Sequence, residues 1–187
     1  VAERVEQVHP EVQIGTLAYW YTRRPPATIR PRPNVQIQLC SIECCTLHPI
    51  DDPECARNQA FCQDLAAWRA VCDDIWVWNY NTNFRQYDLP FPNLRSIGPN
   101  VRCFQRNHVK GLFMQAAGNA LSSELSDLRN YLIARLIWNP ELDDRALLLR
   151  PQLGQEDLLE HGHQRRQQVR VVLQLEGQVG VDEGAED

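Results

Sequence analysis

The residues of this sequence whose type and spacing most directly indicate chemistry are its cysteines. The chain of 187 residues has seven, and six of them lie between Cys40 and Cys72. Such clustering is typical either of a disulfide-braced loop in an exported protein or of a zinc site. The candidate zinc ligands are Cys44 or Cys45, His48 and Cys55. Neither spacing is the paired CxxC of a zinc ribbon, so we favour disulfides or plain buried thiols and expect no resident metal.

Composition and missing motifs exclude several other classes of function. The sequence has no GxSxG, P-loop, GxGxxG or HExxH motif, so it lacks the motifs on which esterases, NTPases, dehydrogenases and metalloproteases depend. No cofactor is therefore expected. Residues 1–150 hold 16 basic and 16 acidic side chains, whereas residues 151–187 hold 3 and 8. Residues 1–150 have no surplus of basic side chains, so we expect no nucleic-acid partner. The chain has no apolar run long enough to span a membrane, so we expect no membrane partner.

The elements that must position any site follow from periodicity. Apolar runs rich in β-branched or aromatic residues predict strands at residues 12–21, 35–42, 75–80 and 111–115. Helical spacing predicts helices at residues 2–8, 57–71, 94–107 and 122–138, with Ser122 as the N-cap of the last. Since strands and helices alternate, the chain is predicted to form an α/β fold with a parallel sheet.

Two segments are predicted to lie outside this pattern. Residues 22–33 contain four prolines, which predict a rigid surface loop. Residues 151–187 have no aromatic residue and no cysteine, and apart from a possible strand at residues 169–175 they predict a divergent or disordered acidic tail. We therefore divide the chain into a domain over residues 1–150 and this tail.

Several stretches of the first 145 residues carry a family resemblance. They are VQIGTLAYWYT, NVQIQLCSIECCTLHPIDDPEC, VWNYNTNFRQYDLPFPNLRSIGPNV, VKGLFMQ and SELSDLRNYLIARLIWNPELD. Together they resemble a large, mostly bacterial family of domains of unknown function with glycoside-hydrolase-like barrels, related to α-glucuronidases and β-hexosaminidases. The tail does not share the resemblance.

The resemblance implies a particular architecture. This chain would be the C-terminal half of a (β/α)8 TIM-type barrel, about four βα units, with the N-terminal half of the barrel missing. Half a barrel leaves two sheet edges bare, so the isolated polypeptide is expected to be marginally stable, prone to association and inactive. Together with the clustered cysteines, the resemblance favours an extracellular or periplasmic location.

The resemblance also implies where a carbohydrate would bind. Sugar sites in barrels need aromatic platforms, amides and carboxylates at the carboxyl ends of the strands, and two carboxyl groups flanking the scissile bond. The substrate-binding candidates are Tyr19, Tyr21, Trp78, Asn79, Tyr80, Asn83, Gln115 and Glu124. Glu43, which closes the second predicted strand, is the catalytic candidate. Glu124 has an alternative role, a favourable interaction with the dipole of the helix that follows it.

One position departs from the family pattern. The residue that matches Asn79 is usually Asp in the family, and an amide cannot serve as general acid or base. In related hexosaminidase-like barrels the acid/base carboxylates lie at the fourth strand, which this sequence lacks. The function expected is therefore a fragment of a glycoside hydrolase that supplies substrate-binding residues. The alternatives are a non-catalytic carbohydrate-recognition module and a truncated, inactive gene product.

Overall fold

A computed structural model describes residues 1–116 and 123–149 of the chain, together with the backbone of residues 170–171. The α-helices of this part of the chain are α1 (Ala2–Val8), α2 (Ala56–Arg69), α3 (Leu94–Arg106), α4 (Ser126–Trp138) and α5 (Asp144–Leu149). The strands are β1 (Ile14–Ala18), β2 (Val35–Cys40), β3 (Ile75–Tyr80), β4 (Gly111–Gln115) and β5 (Arg170–Val171). A short 3-10 helix, Trp20–Thr22, follows β1.

The predicted elements are confirmed, with differences at some of their ends. The bounds of α1, β3 and β4 are those predicted from the sequence. β1 is shorter than predicted because Trp20 takes a positive φ of 54° and the chain turns into the 3-10 helix. α4 begins at Ser126, after Leu125 with a φ of 48°, and the predicted N-cap Ser122 lies outside the described residues. α5 has no counterpart among the predicted elements.

The strands form a parallel sheet in sequential order, β1-β2-β3-β4-β5. α2 connects β2 to β3 and α3 connects β3 to β4, whereas the proline-rich loop connects β1 to β2. Because a crossover between adjacent parallel strands is almost always right-handed, consecutive helices pack on the same side of such a sheet. The α/β class and the parallel sheet predicted from the sequence are therefore confirmed.

The hydrophobic core lies between this sheet and the helices. Alternate side chains of the central strands point into it, for example Leu39 of β2, Val77 of β3 and Leu112 of β4. The helices contribute the buried residues Phe61, Leu65, Ile97, Phe104, Leu132 and Leu136. Since side chains alternate along a strand, one face of the sheet is occupied by this core and the other carries the remaining residues.

That second face, here called the open face, is aromatic and partly exposed. Leu17, Gln38 and Phe113 lie on it, and so do the tryptophans of β3. Trp76 lies against Gly111 of the neighbouring strand, where an added Cβ would come within 2.2 Å of the Trp76 Cε3 atom. Glycine at this position therefore allows a large ring to lie across β4 on the open face.

The predicted acidic tail at residues 151–187 lies outside the described residues except for residues 170–171. Their backbone pairs in parallel with β4, within the segment predicted as a possible strand. Among the helices of the described part of the chain, none is both long and apolar enough to span a membrane.

Candidate functional site

A pocket lies at the carboxyl ends of the strands, on the open face of the sheet. Its volume is about 320 Å³. Its lining consists of Leu17, Tyr19, Ile42, Trp78, Tyr80, Phe84 and Gln115. The structure therefore brings together four of the substrate-binding candidates, namely Tyr19, Trp78, Tyr80 and Gln115. Carboxyl ends of parallel strands are where α/β proteins generally place ligands.

Alternation along β3 creates the aromatic wall of this pocket. Trp78 and Tyr80 are two residues apart and point to the same face, where their rings stack with centroids 5.7 Å apart and an interplanar angle of 15°. The ring of Phe113, on the neighbouring strand, meets Trp78 edge-on at 4.7 Å. The aromatic pair is therefore braced from the side by β4, which restricts the orientation of the Trp78 ring.

The amide of Gln115 is positioned by the same two strands. It pairs with Tyr80 in the sheet register, and its Oε1 atom accepts a hydrogen bond of 2.9 Å from the Trp78 indole N–H. The backbone carbonyl of Gln115 accepts a further hydrogen bond from Asn81 N–H. These contacts fix a polar amide at the edge of an aromatic surface.

The hydroxyl of Tyr80 provides a second polar group. Burial, and then the neighbouring Cys40 thiol, raises the pKa of Tyr80 above its usual range. Burial likewise raises the pKa of the Cys40 thiol. Both groups therefore stay neutral at physiological pH, and the phenol keeps its hydrogen-bond donor.

Tyr19 and Tyr21 have different positions although they are two residues apart. Tyr19 lines the pocket and is held by Thr22, whose hydroxyl donates to the Tyr19 carbonyl at 2.8 Å. Tyr21 lies in the 3-10 helix, is 92% exposed and does not line the pocket. The turn at Trp20 interrupts the alternation that would have placed both rings on one face.

Asn79 does not reach the pocket, because it points to the opposite face of β3 from Trp78 and Tyr80. It is buried, and its Nδ2 donates a hydrogen bond of 3.0 Å to the Ser41 hydroxyl. Asn83 lies beyond the strand, where its Oδ1 accepts a hydrogen bond from Arg85 N–H and closes a local turn. In this structure Asn79 bonds the side chain of Ser41 and Asn83 bonds the backbone of Arg85, and neither residue lines the pocket.

Glu43, the catalytic candidate, follows Ile42 but is not part of the pocket lining. Its Oε2 atom lies 2.9 Å from Arg23 Nη1, and Arg23 Nε lies 2.6 Å from Asp64 Oδ2. Arg23 is largely buried, and its carbonyl accepts a hydrogen bond from the Trp68 indole N–H. The guanidinium thus joins Glu43 to a carboxylate of α2, in a charge-assisted network next to the pocket.

Glu124 also has an arginine partner. Its Oε2 atom lies 2.9 Å from Nη2 of Arg129, a side chain that is only 1% exposed. Arg129 also donates to the Glu124 and Phe91 carbonyls and to Asn93 Oδ1. Glu124 therefore balances a buried charge beneath the loops at the carboxyl edge, and it is absent from the pocket lining.

Comparison with models of protein families shows to which family the chain belongs. A family described as a domain of unknown function, DUF4838, matches residues 1–150. The chain belongs to the DUF4838 family. Its resemblance to a family of domains of unknown function is thereby confirmed. A comparison with curated proteins and a comparison with solved structures each found no match.

Three residues that line the pocket of this DUF4838 domain were missed by the sequence analysis. Leu17 precedes Tyr19 by two residues, so strand periodicity could have placed both on the same face. Ile42 ends the predicted strand at residues 35–42, an even number of residues from Gln38 of the open face, so alternation could have placed it there. Phe84 follows β3, where neither periodicity nor a motif indicated a site. The Phe84 ring meets Tyr80 at 5.9 Å and Tyr87 at 6.3 Å, which extends the aromatic surface beyond the sheet.

The cysteines of the DUF4838 domain are all free thiols in this structure. Cys44 is buried, and burial raises its pKa to about 12. The Cys62 and Cys103 thiols share a hydrogen bond that lowers the pKa of Cys62 and raises that of Cys103. The sequence left disulfides and plain buried thiols as alternatives; in this structure the cysteines are thiols, and Cys40, Cys44 and Cys103 are buried.

Proposed function

We propose that the pocket of this DUF4838 domain binds a sugar ring, as the substrate-binding wall of a glycoside hydrolase. The observation that carries the proposal is the stacked pair of Trp78 and Tyr80 with the Gln115 amide beside it. A pyranose ring has an apolar face that packs on aromatic rings and hydroxyl groups at its edge that need polar partners. An aromatic wall with one fixed amide and one neutral phenol offers both kinds of contact.

The sheet supports the further proposal that this domain is half of a (β/α)8 barrel. Its strands are parallel and in sequential order, and its core lies on one face only. In such a barrel the open face would be the interior, filled by side chains from the remaining strands, and the pocket would lie at the mouth. The partly exposed aromatic residues of the open face are the groups that these strands would cover.

Binding can be tested on the chain itself by titration with methyl glycosides and with glucuronic acid, followed by tryptophan fluorescence and calorimetry. Trp78→Ala is expected to weaken binding at least tenfold, because it removes the central ring of the wall. Trp138→Ala is the matched control, since Trp138 ends α4 and is 72% exposed. Circular dichroism checks that both variants remain folded. Equal affinity of Trp78→Ala and the unaltered chain would refute the assignment of the pocket.

Hydrolysis is a second step of the proposal, and it involves Glu43. The observation that favours it is the contact of this carboxylate with Arg23, directly after the pocket-lining Ile42. A carboxylate held by a guanidinium suits a nucleophile or a general base, roles that require the ionised form. The general acid would then come from another part of the barrel mouth, because the described lining of the pocket contains no carboxylate.

This step is tested in the complete protein with a panel of aryl glycosides and glucuronides. Glu43→Gln is expected to lower turnover by about two orders of magnitude or more, as loss of a catalytic carboxyl group commonly does. Glu141→Gln, a change at an exposed glutamate, is the control. Sugar binding without turnover would instead favour the carbohydrate-recognition module. The absence of both binding and turnover would favour an inactive gene product.

A further inference from the structure

Three metal-ligand side chains converge in the segment that joins β2 to α2. Cys45, His48 and Cys55 each offer one ligand atom, and these atoms all lie within 4.8 Å of one another. The Cys45 Sγ atom is 3.4 Å from His48 Nδ1. Tetrahedral zinc with its usual bond lengths to sulfur and nitrogen separates two such ligands by about 3.5 Å. The observed spacing is therefore close to one edge of a zinc coordination tetrahedron.

We propose that Cys45, His48 and Cys55 bind a Zn²⁺ ion through two thiolates and one imidazole nitrogen. Two thiolates neutralise the charge of the ion, and soft sulfur with imidazole favours zinc over magnesium or calcium. His48 is exposed and both cysteines are partly exposed, so the ion can enter from solvent. A water molecule occupies the fourth position, as in sites with three protein ligands.

The segment that carries the ligands is held in place by one buried side chain, Asn58 of α2. Its Oδ1 atom accepts a hydrogen bond of 2.8 Å from Cys45 N–H. Its Nδ2 group donates to the carbonyls of Cys45, His48 and Pro49 at 3.1, 3.3 and 2.9 Å. A single amide thus fixes the backbone of Cys45, His48 and Pro49. This reduces the conformational entropy that the segment loses when a metal binds.

The same helix positions the third ligand. Cys55 is the N-cap of α2, and its carbonyl accepts a hydrogen bond from Asn58 N–H at 3.0 Å. All three ligands are therefore positioned by residues at the start of α2.

The neighbouring cysteine, Cys44, is excluded from the coordination sphere. It is 9% exposed and belongs to the hydrophobic core, whereas His48 is exposed and Cys45 and Cys55 are partly exposed. The ligand atoms that lie within 4.8 Å of one another are those of Cys45, His48 and Cys55. The sequence left Cys44 and Cys45 as equal candidates, and the structure selects Cys45.

A competing outcome is a disulfide between Cys45 and Cys55, whose sulfur atoms also lie within 4.8 Å of each other. Oxidation would consume both thiolates and leave His48 without a metal. The two possibilities are distinguished by the oxidation state of these cysteines, so the experiment must be carried out on reduced chain.

The test uses the full chain, reduced with a phosphine, freed of metal by a chelator and titrated with ZnCl₂ against a zinc-binding dye. We expect one Zn²⁺ per chain, and Co²⁺ should produce the thiolate-to-metal charge-transfer absorption of a tetrahedral site. Cys45→Ser and His48→Ala should each weaken binding at least about tenfold. The matched controls Cys72→Ser and His9→Ala should bind like the unaltered chain.

The proposal would be overturned by the absence of stoichiometric zinc binding, or by a zinc affinity that is unchanged in both ligand variants. A Cys45–Cys55 disulfide that forms in air and, once reduced, leaves no zinc affinity would also overturn it. None of these readouts depends on sugar binding, so their failure and failure of the proposed function can be told apart.

Discussion

Replacement of Arg129 tests whether the carboxyl edge of the sheet is held by a buried charge. The Arg129 side chain is 1% exposed and makes four hydrogen bonds, two of them to Glu124. Arg129→Met keeps much of the side-chain volume but removes every one of these donors. The acceptors on Phe91, Asn93 and Glu124 then lose their partner in the interior, where water does not easily replace it.

The expected loss of stability follows from these contacts. Hydrogen bonds to a charged group contribute about 1.5–3 kcal/mol each when counted singly, but those of one residue are not additive. Removal of one partner of a buried ion pair costs about 3–5 kcal/mol, and Glu124 is only partly exposed. We therefore expect Arg129→Met to lower the free energy of unfolding by about 3–5 kcal/mol, which corresponds to a drop in Tm of about 6–20 °C.

Urea unfolding, monitored by tryptophan fluorescence and circular dichroism, measures this loss. Arg106→Met is the matched control, since Arg106 pairs with Asp51 at the surface and should cost less than about 1 kcal/mol. Glu124→Gln should also destabilise the fold while leaving sugar affinity per folded molecule unchanged. A loss below about 1 kcal/mol for Arg129→Met would refute the structural role of the pair. Weaker sugar binding by a stable Glu124→Gln variant would return Glu124 to the substrate site.

Two further predictions concern stability. Gly111→Ala should cost about 1–3 kcal/mol, because the new Cβ would come within 2.2 Å of the Trp76 ring, whereas Gly15→Ala, with its nearest contact at 3.7 Å, should cost less in the same urea titration. Cys44, whose pKa is raised to about 12 from its usual 9.0, binds a proton more tightly in the folded state than in the unfolded state. The stabilisation that protonated Cys44 contributes to the free energy of unfolding is therefore complete below pH 9. It is lost as the pH rises towards 12, and the loss is about 4 kcal/mol at most. Unfolding titrations at pH 8 and pH 10.5 should show a smaller pH dependence for Cys44→Ala than for the unaltered chain, and equal dependence would contradict this assignment.

The sequence predicted well what depends on local periodicity. The bounds of β3 and β4 follow from runs of β-branched and aromatic residues, and the parallel sheet follows from the alternation of strands and helices. The aromatic wall was also predictable, because Trp78 and Tyr80 are two residues apart in a strand. The same alternation places Asn79 on the opposite face, a signal that the resemblance to a sugar-binding strand end obscured.

Features that depend on contacts between distant segments were not predictable. Glu43 and Arg23 are 20 residues apart, and no pattern in the sequence indicates that they form an ion pair. The beginning of α4 at Ser126 depends on Leu125, which adopts a left-handed conformation that apolar residues rarely take. No motif or periodicity indicated a role for Asn58, although its side chain holds the segment from Cys45 to Pro49 by hydrogen bonds. Each of these features depends on contacts in the folded structure, which local sequence patterns do not reveal.

The two carboxylates that the sequence offered for chemistry are both held by arginines, whereas the pocket is lined by aromatic and amide side chains. The two cases differ in burial. Arg129 is enclosed, so Glu124 is needed to balance its charge, whereas Glu43 is 42% exposed and remains accessible from solvent. A carboxylate that must react needs access to substrate, and one that only balances a buried charge does not. Exposure therefore distinguishes two carboxylates that residue type and position at a strand end did not, and under the proposed function it leaves Glu43 as the catalytic candidate.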